Sequence, residues 1–223
     1  MEGESDKIFL ILLNKIKNLR INSKNIVSCK GNTKLFKAEG IKEYLKAKDI
    51  YIVFDSDNQK RETKIQEIKK QLQENPEEEH RLNDEEFNQI KIFLLPENDE
   101  CKHNPKYCEL EHLLEKMAKE SENKKFYTSF RQHYDTLLDE AFEETNQNQT
   151  PIRREQKKRT KCWLQPYITL SICLKRGFIP CGMDDLNPTE ATANIAEQRN
   201  TEILKKLFNF DLTELQTLID FLR

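Results

Sequence analysis

At 223 residues, 36% of them hydrophobic and 34% charged, the chain suits one large domain or a domain with an appendage, and its core has to be economical. A formal net charge of −2 excludes a globally basic nucleic-acid binder while leaving room for a local basic patch. No apolar run approaches the ~20 residues of a membrane helix. The acidic opening Met1-Glu2-Gly3-Glu4-Ser5-Asp6 lacks a basic signal-peptide region, so a cytoplasmic protein with mostly reduced cysteines (29, 101, 108, 162, 173, 181) is expected.

Apolar residues at Ile8, Phe9, Ile11, Leu12, Leu13, Ile16 and Leu19 predict an amphipathic helix over 7–19 with a broad buried face. Residues 25–29 read as a short strand closed by Lys30-Gly31-Asn32, and 35–47 as a second helix weakened in its middle by Gly40. Ile50-Tyr51-Ile52-Val53-Phe54 is a run of β-formers and reads as a strand buried on both faces. Residues 62–72 predict an exposed helix, 73–84 a polar, acidic loop containing Pro76, and 90–95 a further strand stopped by Pro96. Such alternation predicts parallel strands joined by crossover helices.

After Pro96 the character changes. Residues 97–108 form a loop rich in Asn, Asp, Lys and Pro, and 109–117 begin a helix with Leu110, Leu113 and Leu114 inward. Phe126, Phe130, Tyr134, Leu137, Leu138 and Phe142 carry the spacing of an amphipathic helix. A polar linker over 143–149 leads to the basic stretch 151–161, then Cys162-Trp163-Leu164 and the apolar 167–174. A short helix over 208–222, capped by Asp211 or Thr213, closes the chain. The expected organisation is an α/β domain over 1–117 and a helical extension over 118–223 packed on or beside it.

Chemistry concentrates at Asp55-Ser56-Asp57, directly after the first long strand. Open α/β sheets carry their sites at the carboxyl ends of strands. On a continuing strand, positions i and i+2 point to one side, and two carboxylates placed so repel unless a cation such as Mg²⁺ lies between them. Asp, Ser and Asn are also ordinary turn residues. Glu2-Gly3 precedes the first helix, where glycine permits a tight turn and the close approach of a ligand, and Asp6 suits helix capping as well as metal binding. Cys101-x-His103-x₄-Cys108-x₃-His112 offers zinc-type ligands in a spacing that matches no common finger, so ordinary loop residues are the plainer reading. Cys162, Cys173 and Cys181 lie among apolar residues and read as core thiols. Arg153, Arg154, Lys157, Lys158, Arg159 and Lys161 are the densest basic cluster, either a phosphate-contacting patch or a solvated helix face. No Ser/His/Asp triad and no Gly-Lys-Ser/Thr phosphate loop is discernible.

Glu2-Gly3-x-x-Asp6 ahead of a helix, Gly31 after the next strand, and Asp55-x-Asp57 after a hydrophobic strand together resemble the TOPRIM domain. That domain occurs in topoisomerases, primases, small ribosomal-RNA maturases and the overcoming-lysogenization-defect (OLD) nucleases. Glu109-Leu110-Glu111-His112-Leu113-Leu114 looks like the Leu-Glu-Asp-Leu-Leu element of stand-alone and OLD-type members. The remainder, with Lys161-Cys162-Trp163-Leu164 and the closing helix, is similar to stand-alone TOPRIM-like bacterial proteins.

The resemblance covers about half the chain. It implies an α/β fold with a TOPRIM-like, mostly parallel sheet flanked by helices, followed by a helical C-terminal extension. The implied activity is a Mg²⁺- or Mn²⁺-dependent nuclease that cleaves phosphodiester bonds. In that scheme Asp55 and Asp57 hold a metal, Glu2 is a ligand or the general acid/base, and Asp6 and Glu111 are candidates for a second metal. Zinc on Cys101, His103, Cys108 and His112 would rigidify the loop that delivers Glu111. The implied partners are nucleic acid, DNA ahead of RNA, and an ATPase, in a setting of phage defence and with no membrane. One departure is expected: the strand that precedes the Glu in family members has no room before Met1. That departure favours the alternative of a catalytically weak TOPRIM-like subunit that binds nucleic acid or protein in an ATPase-containing complex.

Overall fold

Helix α1 (Glu4–Lys17) forms on the first apolar pattern and buries Phe9, Leu10, Leu12 and Leu13, with Lys15 and Lys17 in its last turn, at the negative end of the helix dipole. Asn18 then takes a left-handed backbone (φ 50), and the Asn14 side chain ties off the end by bonding both the Ile21 N–H (3.0 Å) and the Ile21 carbonyl (2.7 Å). The computed structural model describes residues 4–29, 35, 40–57, 59–95, 109–146, 162–176 and 198–223. Backbone contacts divide the chain into two units, Met1–Leu110 with Asp211–Arg223, and Glu111–Phe210.

In the first unit the strand expected over 25–29 does not form. Ser23–Asn25 makes a 3₁₀ turn instead, because the Asn22 side chain accepts the Lys24 N–H and offers the backbone an alternative to a ladder. Helix α2 (Ile41–Leu45) is shorter than expected, and Gly40 lies at its N-cap rather than in its middle. The cap needs a left-handed φ of 81, which glycine adopts without steric cost.

Strand β1 (Tyr51–Asp55) follows, then helix α3 (Arg61–Gln73), a 3₁₀ turn at Glu78–His80, helix α4 (Asp84–Asn88) and strand β2 (Lys91–Leu95). Helix α4 begins at Asp84, the last residue of the stretch expected to be loop; its capping box, Asn83 with Glu86, is readable as a helix start. The two strands pair in parallel, Tyr51 opposite Lys91 through Asp55 opposite Leu95, as the crossover of α3 and α4 requires. Each strand is exposed at its first residue and buried along the next four, so both faces are covered.

One face carries Ile52, Phe54, Ile92 and Leu94 against Leu35, Ile68, Leu72, Leu82, Phe87 and Ile90. By alternation the other carries Tyr51, Val53, Asp55, Phe93 and Leu95. Lys91 N–H bonds Ile50 and Ser56 N–H bonds Leu95, so the odd-numbered residues of β2 face β1. The Ile92 carbonyl points the other way and accepts from the Arg61 guanidinium at 3.2 Å. Among the described residues the sheet has these two strands. The fold is mixed α/β, mostly helical with a small parallel sheet.

Helix α5 (Leu110–Lys119) begins with Leu110 in the first unit and from Glu111 on belongs to the second, with α6 (Lys124–Asn146), α7 (Leu164–Arg176) and α8 (Gln198–Leu207). Helix α6 runs into the stretch expected as a linker. Tyr167 is the centre of the core, with ring centroids of Phe126, Tyr127, Phe130, Trp163 and Phe208 between 5.3 and 5.9 Å away. The short helix expected over 208–222 is observed as α9 (Thr213–Phe221), which starts after α8 has ended at Leu207 and belongs to the first unit. Leu212 is its N-cap and no side chain caps it; Asp211 pairs instead with Lys17 of α1 at 2.6 Å. Phe221 sets its ring 5.3 Å from both Tyr51 and Phe93, covering the Asp55-bearing face of the sheet. No helix among the described residues is long and apolar enough to cross a membrane.

Candidate metal centre

Asp55 ends β1 and is buried, with 6% exposure. Its Oδ1 accepts the Leu110 N–H at 3.0 Å, so the carboxylate satisfies a donor that the first turn of α5 leaves without an intrahelical partner. Ser56 extends the ladder by one bond, its N–H to the Leu95 carbonyl at 2.9 Å, and the Gln59 N–H then closes a turn onto the Ser56 carbonyl at 2.9 Å. Asp57 sits in that turn with φ 51. The strand has ended, so the two-residue alternation that would aim Asp55 and Asp57 to one side does not apply. Left-handed backbone is a conformation Asp tolerates better than most residues.

A buried lysine completes the turn. Lys64, in the first half of α3, exposes 3% of its side chain, and its Nζ forms an ion pair with Asp57 Oδ2 and lies 4.0 Å from Glu67 Oε2. Glu67 Oε1 in turn accepts the Gln59 Nε2–H at 2.8 Å. Gln59 Oε1 is buried and meets no hydrogen-bond donor among the described residues. One turn therefore gathers two carboxylates, an orphaned amide oxygen and an ammonium. Lysine is almost never this buried without a partner, since a desolvated ammonium costs several kcal/mol. The donor set is all oxygen, the kind that Mg²⁺ and Mn²⁺ prefer, and an unsatisfied buried oxygen on the amide that bonds Glu67 fits such an ion. Asp57 and Glu67 keep 28% and 49% of their side chains exposed, so the turn is open to an ion from solvent.

Sequence reasoning missed Lys64, Glu67 and Gln59. A signal for Lys64 was present: it falls in register with Ile68 and Leu72, the buried stripe of α3, where a charge is out of place. Of the other expected residues, Asp6 is buried in the first turn of α1, and Glu111 and His112 are half-buried in α5. Glu2, Gly3, Gly31, Cys101, His103, Cys108, Cys181 and the basic cluster of Arg153, Arg154, Lys157, Lys158, Arg159 and Lys161 lie outside the described residues. Among those that are described, one further group could hold a metal geometrically: Glu77, Glu79 and His80, which are surface residues within 4.8 Å of one another.

The second unit has its own charged feature. Lys119, Lys124, Lys125, Thr128, Ser129 and Gln132 line an open hollow of about 450 Å³. Lys119 pairs with Glu115 at 2.9 Å. Burial works against the charge of Glu115, but Lys119, Arg131 and the Tyr127 hydroxyl together outweigh it and hold the carboxyl below its usual range. Glu115 also accepts the Tyr127 hydroxyl at 3.1 Å.

A parallel β–α–β crossover carries an acidic turn at the carboxyl end of its first strand, the position at which open α/β proteins bind ligands. The chain belongs to the family described as "Protein of unknown function (DUF3226)", whose model matches residues 1–167. Comparison with curated proteins and with solved structures returns no match.

Proposed function

We propose that this protein is a divalent-cation-dependent nuclease, with the turn after β1 as its metal centre. The observation that supports this most is the oxygen set of Asp57, Glu67 and the unsatisfied Gln59 Oε1, linked through the Lys64 ammonium and the Gln59 amide. A bound Mg²⁺ or Mn²⁺ would supply charge stabilisation for phosphodiester cleavage. Asp57 and Glu67 supply charged ligands, Gln59 a neutral one, and Asp55 fixes the strand end through its bond to Leu110. Glu2 and Asp6 are the further carboxylates that the likeness to TOPRIM domains nominates, and the same likeness suggests phage defence beside an ATPase partner.

The test is incubation of the pure protein with plasmid, linear DNA and RNA in Mg²⁺ or Mn²⁺. Wild type should cut at least one substrate, and D57N and E67Q should each lose about 100-fold or more, the scale of losing charge stabilisation at a reacting centre. Cutting that survives both substitutions sinks the assignment.

A second reading, a catalytically weak nucleic-acid-binding subunit, has its own support. Lys64 already meets part of the charge demand at Asp57, and the lysine-lined hollow suits a phosphate backbone. Salt-sensitive retention of DNA without any cutting would favour it.

A further inference from the structure

We propose that Lys64 is a tethered counter-cation: its ammonium occupies the Asp57–Glu67 locus until a divalent ion displaces it, and it thereby sets the affinity of the site for metal. This inference rests on the metal-centre reading given above.

Three observations carry it. The Lys64 side chain comes from a position in the inward stripe of α3, so its backbone is fixed by the packing of Ile68 and Leu72 and its stem is already committed to the site. Its ammonium ion-pairs with one carboxylate and approaches the other, a position that balances charge between Asp57 and Glu67. The remaining oxygen of the turn, Gln59 Oε1, is left without a donor although an ammonium with three N–H groups is part of the same network. Lysine neutralises this cluster without satisfying it. A divalent ion brings twice the charge and takes six or more oxygen ligands, so it can engage the amide oxygen that lysine leaves idle.

An ion can reach the two carboxylates from solvent. Glu67 is half exposed, and the lysine stem has four flexible carbons that allow its head to move toward water while the methylenes stay packed. The exchange is one positive charge leaving as two arrive, so the ammonium acts as a threshold. Metal binds only when its gain at Asp57, Glu67 and Gln59 exceeds the loss of the Lys64 pair. Replacing lysine by an uncharged side chain of similar length removes the competitor and its positive charge from between Asp57 and Glu67. Replacing it by arginine retains the competitor.

Mn²⁺ binding to the full chain, read by loss of the free-ion electron paramagnetic resonance signal, decides the matter. K64M should bind Mn²⁺ at least ~10-fold more tightly than wild type, K64R should stay at or below the wild-type level, and D57N/K64M should fall back below K64M. Equal, measurable binding by wild type and K64M overturns the role of Lys64 while leaving the metal centre standing. Absence of binding in both overturns the metal centre itself, and this inference with it. Because K64M leaves Asp57 without its ammonium, a measurement on wild type guards against misfolding. The Lys64 side-chain resonances should shift as Mg²⁺ saturates the protein, and resonances that stay fixed at saturation overturn the proposal.

Discussion

Asp55 joins two elements at one atom, because the carboxylate that ends β1 also receives the first backbone N–H of α5. Removing it strands a buried donor, which costs more than the bond itself contributes. D55A should therefore lose about 1–3 kcal/mol of stability in urea unfolding, the range of a lost helix cap combined with an unsatisfied buried N–H. D55N keeps an oxygen acceptor and should lose clearly less. A D55A protein as stable as wild type would mean that this bond contributes nothing. The residue was visible in the sequence as an acidic strand end, but its bond partner was not, since nothing local connects position 55 with position 110. Lys64 shows the opposite case: a periodic stripe exposes it once the stripe is counted strictly, and a general label of exposed helix hides it.

At the scale of elements, the long strands were legible because their β-branched and aromatic runs have one physical solution, burial on both faces. Short elements were not. Asn22 and Gly40 each reset the backbone locally, the first by side-chain bonding and the second by positive φ, and both outweigh the apolar pattern around them. The aromatic packing of α6, α7 and α8 gives a pH prediction. Burial pushes the Tyr127 and Tyr167 hydroxyls above their usual value of 10.0, and for Tyr127 the charge of Glu115 adds to it. A group whose folded pKa is raised contributes stability that is fully present below its unfolded value and is lost as pH rises past it. Stability should hold up to about pH 10 and fall above it, as the unfolded chain ionises first. Y127F and Y167F should each flatten that alkaline decline, measured as urea midpoints between pH 8 and 11. An undiminished slope in both variants would place the alkaline sensitivity elsewhere.

For the whole molecule, the change of character after Pro96 suggested a boundary near 117, but a composition shift cannot show that the last helix belongs with the first. That return is a non-local packing decision, made by rings far apart in sequence. Phe221 supplies it, edge-on to Tyr51 and tilted against Phe93, on the face of the sheet opposite the α3–α4 core. A two-stranded sheet is marginal alone and needs cover on its apolar faces. F221A removes a half-buried ring, so a cost of about 2 kcal/mol is expected, below the 3–5 kcal/mol of a fully buried phenylalanine. Amide hydrogen exchange locates where that loss falls. Protection should drop along β1 and β2, while the amides around Tyr127 and Tyr167 keep theirs, because those residues belong to the core of the other unit. An equal drop throughout would show that the chain opens as one cooperative body. No drop at β1 would remove α9 from any part in holding the strand that ends at Asp55.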